Sequence, residues 1–491
     1  MTFPLLSPET VRVLRDLNPW WEVPGRVRPE PPPYVRPATR AVLERLRSEG
    51  SLIEILRGPR QVGKTTAIYQ IVRELVRTGT AGTDVLFVRF DHELLRETQG
   101  GIPAIARWFS REIRRAEFER KRPAFLFLDE VLKLRRWDEQ TKHLFDTFPV
   151  RILLTGSSSV LVSKGGRESL AGRALTTDFP PFGFREVLEA WEPKLAAVLP
   201  EPVSIRALLD PRKTAAMARG LRVPPKRRSA LDRHLERYYG RGGYPRLHSG
   251  EVPDDRWADY LVETVFERVL GVDIPDLFPV EQPALMRHLY LMVAKLTGRE
   301  ISQNGLTETA NAAGFATNQP TVGKYLHYLA DALLIREFRR YPLARRASAR
   351  VPAKITLSDL GVRNALLRGA PSLWESPPDI VGPLVETLVQ AVLRAPNMRF
   401  HYYRDFENPA NRRSAVREVD FVAEETDGSV LPIEVKFRKR IDADDARSLG
   451  YFMDRFRSPC GILVTRETSG WDPARRIACV PLTEFLVRVG T

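Results

Sequence analysis

The sequence predicts an α/β protein of several domains, and three observations carry that reading. A strand-like run, a glycine-rich loop and a helical pattern follow one another from Leu52 to Val76. Three further apolar runs, DVLFVRFD, AFLFLDEV and RILLTG, alternate with helical patterns, and a second α/β pattern begins after Pro371. Strands that alternate with helices build parallel sheets. A chain of 491 residues exceeds one ordinary core, and its 43% of hydrophobic residues can fill several. The expected segments are an arm over 1–37, an α/β domain over 38–180, a helical segment over 181–250, a second helical unit over 251–350 and a C-terminal α/β domain over 351–491.

In the arm, NPWWEVPGRVRPEPPPYVRP carries too many prolines for regular structure. Trp20 and Trp21 are expected to dock it on a neighbouring surface, with base stacking the alternative use of such rings.

The run LIEILRGPRQVGKTTAIYQIVRELV comes next. Its loop of Gly58, Pro59, Arg60, Gln61, Val62, Gly63, Lys64 and Thr65 fits G-x-x-x-x-G-K-[ST], and Thr66 follows in the helix. Glycines let backbone N–H groups close around phosphates, and the helix N-terminus adds a favourable dipole. Lys64 would reach the β/γ-phosphates and the Thr65 hydroxyl would hold Mg²⁺, so the loop points to a nucleoside triphosphate as ligand.

AFLFLDEV reads as the middle strand of a parallel sheet because its apolar run is unbroken. Carboxylates at the C-terminal end of such a strand lie where open α/β sheets bind ligands. Asp129 would hold Mg²⁺ through water and Glu130 would polarise an attacking water. Alone the apolar-Asp-Glu pattern says little; after a phosphate loop it says much. RILLTGSSS repeats the design with hydroxyls, where Thr155, Ser157 or Ser158 could sense the γ-phosphate. A serine-rich turn is the other reading.

GPRQVGKTT, FLFLDEV, LLTGSSS and ESLAGRA, in that order and spacing, resemble the AAA-type ATPases of bacteria and archaea with a C-terminal domain of uncharacterised function. NPWWE and GGYP resemble further pieces of the same proteins. The resemblance implies a helical lid over 181–250 and a ring-capable homo-oligomer, a hexamer included. It also makes Arg173 a candidate finger reaching a neighbouring subunit's γ-phosphate; a structural ion pair is the alternative.

Between Gln282 and Glu337, GLTETANAAGF, a turn at ATNQP and TVGKYLHYLADALLI form a helix-turn-helix pattern. Val322, Tyr325, Leu326, Leu329 and Leu333 make a buried stripe, leaving Thr321 and Lys324 outward. REFRRYPLARRASAR supplies a basic segment where the wing of a winged helix would sit. Such modules also pack against proteins.

In the C-terminal domain REVDFVAE alternates, Asp427-Gly428 gives a turn and VLPIEVKF alternates again, which predicts a hairpin. Alternation puts Glu434 and Lys436 on one face, and pairing brings Asp420 alongside. Asp420 and Glu434, completed by Glu386 from the preceding helix, would hold Mg²⁺ or Mn²⁺ for phosphodiester hydrolysis, with Lys436 orienting water. Glu, then Asp, then Glu-x-Lys resembles the PD-(D/E)xK nucleases, among them the archaeal Holliday-junction resolvases. Val419 stands where the strict motif has proline. The competing reading is a solvated cross-strand charge pair.

Composition bears on partners. Lys and Arg number 76 against 61 Asp and Glu, a net charge of +15 that favours polyanions such as DNA, although an Arg- and Pro-rich compositional bias yields the same balance. Cys460 and Cys479 lack any metal-type spacing, which fits a reducing cytoplasm. No apolar run approaches a bilayer span, so no membrane partner is expected.

The sequence therefore predicts a P-loop AAA-type ATPase domain with helical lid, a winged-helix domain and a C-terminal α/β restriction-endonuclease-like domain. The function it implies is ATP-dependent DNA processing coupled to a metal-dependent endonuclease acting on branched or duplex DNA, such as Holliday junctions, in recombination or repair. The alternative is a nucleotide-operated regulatory or defence switch that binds DNA or protein without cutting.

Overall fold

A computed structural model describes residues 6–156, 170–221, 223–341, 353–406 and 416–490. It divides into two compact units, Met1–Pro180 with Asp331–Leu333, and Pro181–Ala330 with Leu334–Thr491.

The first unit is built on five parallel strands: β1 (Ile53–Arg57), β2 (Val85–Arg89), β3 (Ala124–Asp129), β4 (Val150–Gly156) and β5 (Ala174–Asp178). Their order is β2-β3-β4-β1-β5. Every residue of β3 is buried, as expected of a strand flanked by β2 and β4 and covered on both faces. Ile55, Leu86, Val88, Leu126, Leu128, Ile152 and Leu154 form the core of this sheet with apolar residues of the surrounding helices.

The arm belongs to this unit. Its helix Pro8–Leu17 is capped by Ser7, whose Oγ accepts the Thr10 N–H at 3.1 Å. Asn18 then meets the edge strand β2 as another strand would: its side chain donates to the Phe87 carbonyl at 2.8 Å and accepts the Phe87 N–H at 2.7 Å. Trp20 and Trp21 both donate indole N–H to the Val85 carbonyl, at 3.1 and 2.8 Å. The tryptophans thus pack the arm onto the sheet, and the sheet edge is covered rather than bare. Further along, Gln70 and Arg73 of the helix Lys64–Arg77 donate to the Pro32 and Pro31 carbonyls at 3.0 and 2.9 Å, satisfying backbone that proline keeps out of regular structure.

The second unit begins with the helices Phe184–Trp191, Pro211–Met217 and Pro225–Arg241, which the sequence reading assigned to the preceding domain as its lid. A short β6 (Val203–Ser204) pairs in parallel with β16 (Val489–Gly490). The helices Pro283–Leu296, Gln303–Ala312 and Gln319–Asp331 come next. Val322, Tyr325, Leu326 and Leu329 are buried as expected, whereas Leu333 lies past the helix end with φ +56°. Thr321 and Lys324 are partly exposed.

With these helices go β7 (Glu300–Ile301), β8 (Ile335–Arg340) and β9 (Ala353–Leu357), where β9 pairs antiparallel with both others. The expected boundary at residue 350 therefore falls before the last strand of this group. Of the basic segment 336–350, residues 336–340 belong to β8, and 342–350 lie outside the described residues.

The same sheet continues through β10 (Arg399–Phe406), β11 (Val416–Glu424), β12 (Val430–Lys436), β13 (Gly461–Thr465), β14 (Gly470–Asp472) and β15 (Ile477–Pro481). The full order is β14-β15-β13-β12-β11-β10-β8-β9-β7, with β8 and β10 joined in parallel. The predicted hairpin is β11–β12, in register Phe421↔Ile433, turning at Gly428 with φ +86°. Cys460 and Cys479 are free, and no helix among the described residues is long and apolar enough to cross a membrane.

Candidate nucleotide site and the C-terminal carboxylate cluster

The loop from Gly58 to Thr65 leaves the C-terminal end of β1 and feeds the N-terminus of the helix Lys64–Arg77. Gly63 sits at φ +92°, a left-handed conformation that releases the loop into the helix, and Gln61 is also left-handed at φ +65°. At Gly58 a Cβ would stand 2.1 Å from the Phe179 carbonyl oxygen, so only glycine fits where the chain following β5 crosses the loop. Pro59 and Val62 are buried, Arg60 and Thr66 partly so. Lys64 is buried, and its Nζ donates to the carbonyls of Gly58 and Pro59 at 2.9 and 2.8 Å.

At the end of β3, Asp129 is fully buried and accepts the Thr65 hydroxyl at 2.8 Å. Burial pushes its carboxyl above the usual range, against the hydroxyls of Thr155 and Thr65 and the charges of Arg89 and Lys64. A hydroxyl and a carboxylate side by side are hard oxygen donors, and they fit a magnesium ion that arrives with a triphosphate. Glu130 follows with φ +52°, a backbone conformation rare outside glycine and concentrated at working sites.

Arg89 carried no mark in the sequence, and Thr155 takes another part than the one expected of it. Arg89 at the end of β2 stands opposite Asp129 in register, its Nε 3.8 Å from Asp129 Oδ2. Thr155, expected to sense phosphate, is wholly buried instead, donating to Asp129 Oδ1 and accepting the Glu130 N–H at 3.2 Å. Ser157 and Ser158 lie outside the described residues. Arg173 pairs with Asp146 of its own unit at 2.7 Å, both side chains well exposed.

The C-terminal residues singled out by pattern do converge. Glu386 comes from the helix Pro378–Val392, Asp420 from β11, and Glu434 and Lys436 from β12. Asp420 donates its N–H to Glu434 Oε2 at 3.2 Å, and Asp420 Oδ2 accepts the Val435 N–H at 2.8 Å. The Lys436 ammonium is bonded to Glu434 Oε1. A fifth member was not foreseen: Lys354 of β9, 2% exposed, sends its ammonium between Asp420 Oδ1, at 2.7 Å, and Glu386 Oε2. Burial opposes that charge, but Asp420 and Glu386 hold the ammonium well above the usual lysine range. Burial and the nearby Asp420 raise the carboxyls of Glu386 and Glu434. Asp420 is held below its usual range by Lys354 and Lys436, against the effect of burial.

As arranged, these residues do not fit a resident divalent metal. The space between Glu386 and Asp420 holds an ammonium, and among the described residues no group of three or more His, Cys, Asp or Glu could hold a metal ion.

Comparison with known proteins agrees with the first half of this picture. Residues 51–188 match a family described as an AAA domain, and they form an AAA-type P-loop ATPase domain. Residues 232–372 and 381–485 match two families described only as domains of unknown function. An uncharacterised protein of Haemophilus influenzae is 20% identical over 418 residues, 84% of this chain and 88% of its own length. A second, from Methanocaldococcus jannaschii, is 23% identical over 283 residues, 58% of this chain and 55% of its own. Among solved structures, a Walker-type ATPase of Pyrococcus abyssi overlaps at TM-score 0.38 with 15% identity, covering 70% of this chain and 99% of its own. The Aeropyrum pernix ORC1 protein, solved in complex with DNA, overlaps at TM-score 0.29 with 16% identity, covering 71% and 96%.

Proposed function

We propose that this chain is an ATP-hydrolysing AAA-type enzyme that works on DNA, its nucleotide state governing how the second unit engages nucleic acid. The observation that carries the ATPase reading is the contact of Thr65 with Asp129, 2.8 Å apart at the mouth of the phosphate loop. Backbone N–H groups of the loop from Arg60 to Thr66 would hold the phosphates, and Lys64 would turn from its own loop carbonyls to the β/γ-phosphates. Magnesium, held by Thr65 and Asp129, would offset charge on the phosphates. Glu130 would accept a proton from the attacking water, and Asp129 would be kept in place by Thr155. Arg173 would leave Asp146 to reach the nucleotide of a neighbouring copy in a homo-oligomer.

The DNA reading rests on the net charge of +15 and on the order helix, β7, helix, helix, β8, β9, which is that of a winged helix. Thr321 and Lys324 would face the major groove.

The test measures phosphate release and binding of labelled duplex, fork and four-way junction DNA, for the wild-type chain and Glu130→Gln. Expected are wild-type turnover stimulated by DNA, and at least a hundred-fold loss in Glu130→Gln with nucleotide still bound. A wild-type chain without turnover, or DNA binding indifferent to nucleotide, would overturn the reading.

The convergence of Glu386, Asp420, Glu434 and Lys436 favours a second reading, a metal-dependent endonuclease for branched DNA. The Lys354 ammonium inside that cluster ranks it second. Metal-dependent cutting of a labelled junction, lost in Asp420→Asn, would reverse the ranking.

A further inference from the structure

We propose that Lys354 is a built-in counter-cation: its ammonium takes the place between Glu386 and Asp420 that a divalent metal would take, and the cluster admits hard divalent cations only when Lys354 is removed. The inference is independent of the ATPase reading, which its failure would leave intact.

Four observations carry it. First, Lys354 belongs to β9, outside the hairpin and helix that supply the carboxylates, yet it reaches their common centre with 2% of its side chain exposed. An ammonium is taken from water at this depth only where opposite charges surround it. Second, the near oxygens are taken: Asp420 Oδ1 and Glu386 Oε2 by Lys354, Asp420 Oδ2 by the Val435 N–H, and Glu434 by Lys436 and the Asp420 N–H. Third, the buried Phe421 ring lies 5.3 Å from the Lys354 ammonium, a further surface that favours a cation there. Fourth, the carboxyls of Glu386, Asp420, Glu434 and the neighbouring Glu418 of β11 outnumber the ammonium groups of Lys354 and Lys436. Deleting Lys354 takes one of those two cations from a buried space, a loss that a divalent ion bound by oxygen donors would make good.

The experiment uses the full chain, free of nucleotide, as wild type, as Lys354→Met, which keeps the volume without the charge, and as Lys354→Met with Asp420→Asn. Manganese binding is read by electron paramagnetic resonance. In parallel, Fe²⁺ with ascorbate and peroxide is used to cut backbone beside any occupied metal site, with the cut positions read by mass spectrometry. Expected are Mn²⁺ affinity at least ten-fold tighter in Lys354→Met than in wild type, loss of that gain with Asp420→Asn, and no iron cut near residues 386, 420 or 434 of the wild-type chain. Equal affinity in wild type and a folded Lys354→Met, or iron cuts at those positions in the wild type, would overturn the proposal. If Lys354→Met fails to fold, the wild-type iron map decides alone: cuts refute the built-in cation and their absence upholds it.

Discussion

Thr155 donates its hydroxyl to Asp129 and accepts the Glu130 N–H at 3.2 Å, so one buried side chain of β4 ties down both acidic residues at the end of β3. Neither acid depends on its own strand alone for its position. Thr155→Val keeps the shape and removes the hydroxyl, leaving buried polar groups without their partner. Turnover should fall about ten-fold while nucleotide affinity stays within about two-fold, because the lost support acts on the chemical step. Phosphate release beside nucleotide titration measures the split, and Thr155→Ser should restore most of the rate.

Arg173 gives a prediction of opposite kind. Its pair with Asp146 is exposed at both ends, where water screens the attraction to little net stability. Arg173→Ala should leave the melting temperature nearly unchanged. If the arginine serves a neighbouring copy, turnover should fall at protein concentrations where the chain associates; light scattering and phosphate release on the same samples check both.

Trp20 is 1% exposed and anchors the arm to β2. Trp20→Ala should destabilise the first unit by about 3–5 kcal/mol, the range for emptying a buried tryptophan site. Thermal unfolding and proteolysis near residue 20 would report it, and an unchanged melting temperature would refute the anchoring role.

In the second unit, His248 sits against the Trp191 ring with its Nε2 2.8 Å from the Gly242 carbonyl. Burial first, then Arg237 and Arg241, push its pKa down to about 4. The folded state therefore takes up the proton less readily than the unfolded chain, so this contribution is full above about pH 6.5 and is lost as pH falls toward 4. The cost is about 2 kcal/mol at pH 5. Urea midpoints at pH 8 and pH 5 should differ less in His248→Gln than in the wild type.

What the sequence made legible follows from how locally each feature is encoded. The phosphate loop needs eight neighbouring residues, Gly58 to Thr65, and nothing else to be recognised. Asp420, Glu434 and Lys436 were legible because strand alternation and the Asp427-Gly428 turn fix their register. Lys354 was not, since it meets Asp420 from 66 positions earlier and through the antiparallel group β7–β9–β8. Its local pattern, AKITL, alternates as a half-exposed strand does, so Lys354 reads there as a solvent-facing lysine. Asn18 left no mark at all: an amide that imitates a strand neighbour looks like any loop asparagine. Thr155 was found by residue type and misplaced in role, because a hydroxyl at a strand end serves a phosphate or a carboxylate equally well.

The parallel seam of β8 and β10 lies between the stretches that match two separate families, 232–372 and 381–485. Beyond the register pairs His401↔Arg339 and Tyr402↔Arg340, the Tyr341 N–H donates to the Tyr402 carbonyl at 2.7 Å. The two stretches match different families, yet the sheet joins them into one plate. Either stretch grafted alone into another protein would carry a raw strand edge, and a tether pulling on both ends of the plate would have to break the hydrogen bonds of that seam before any joint could swing.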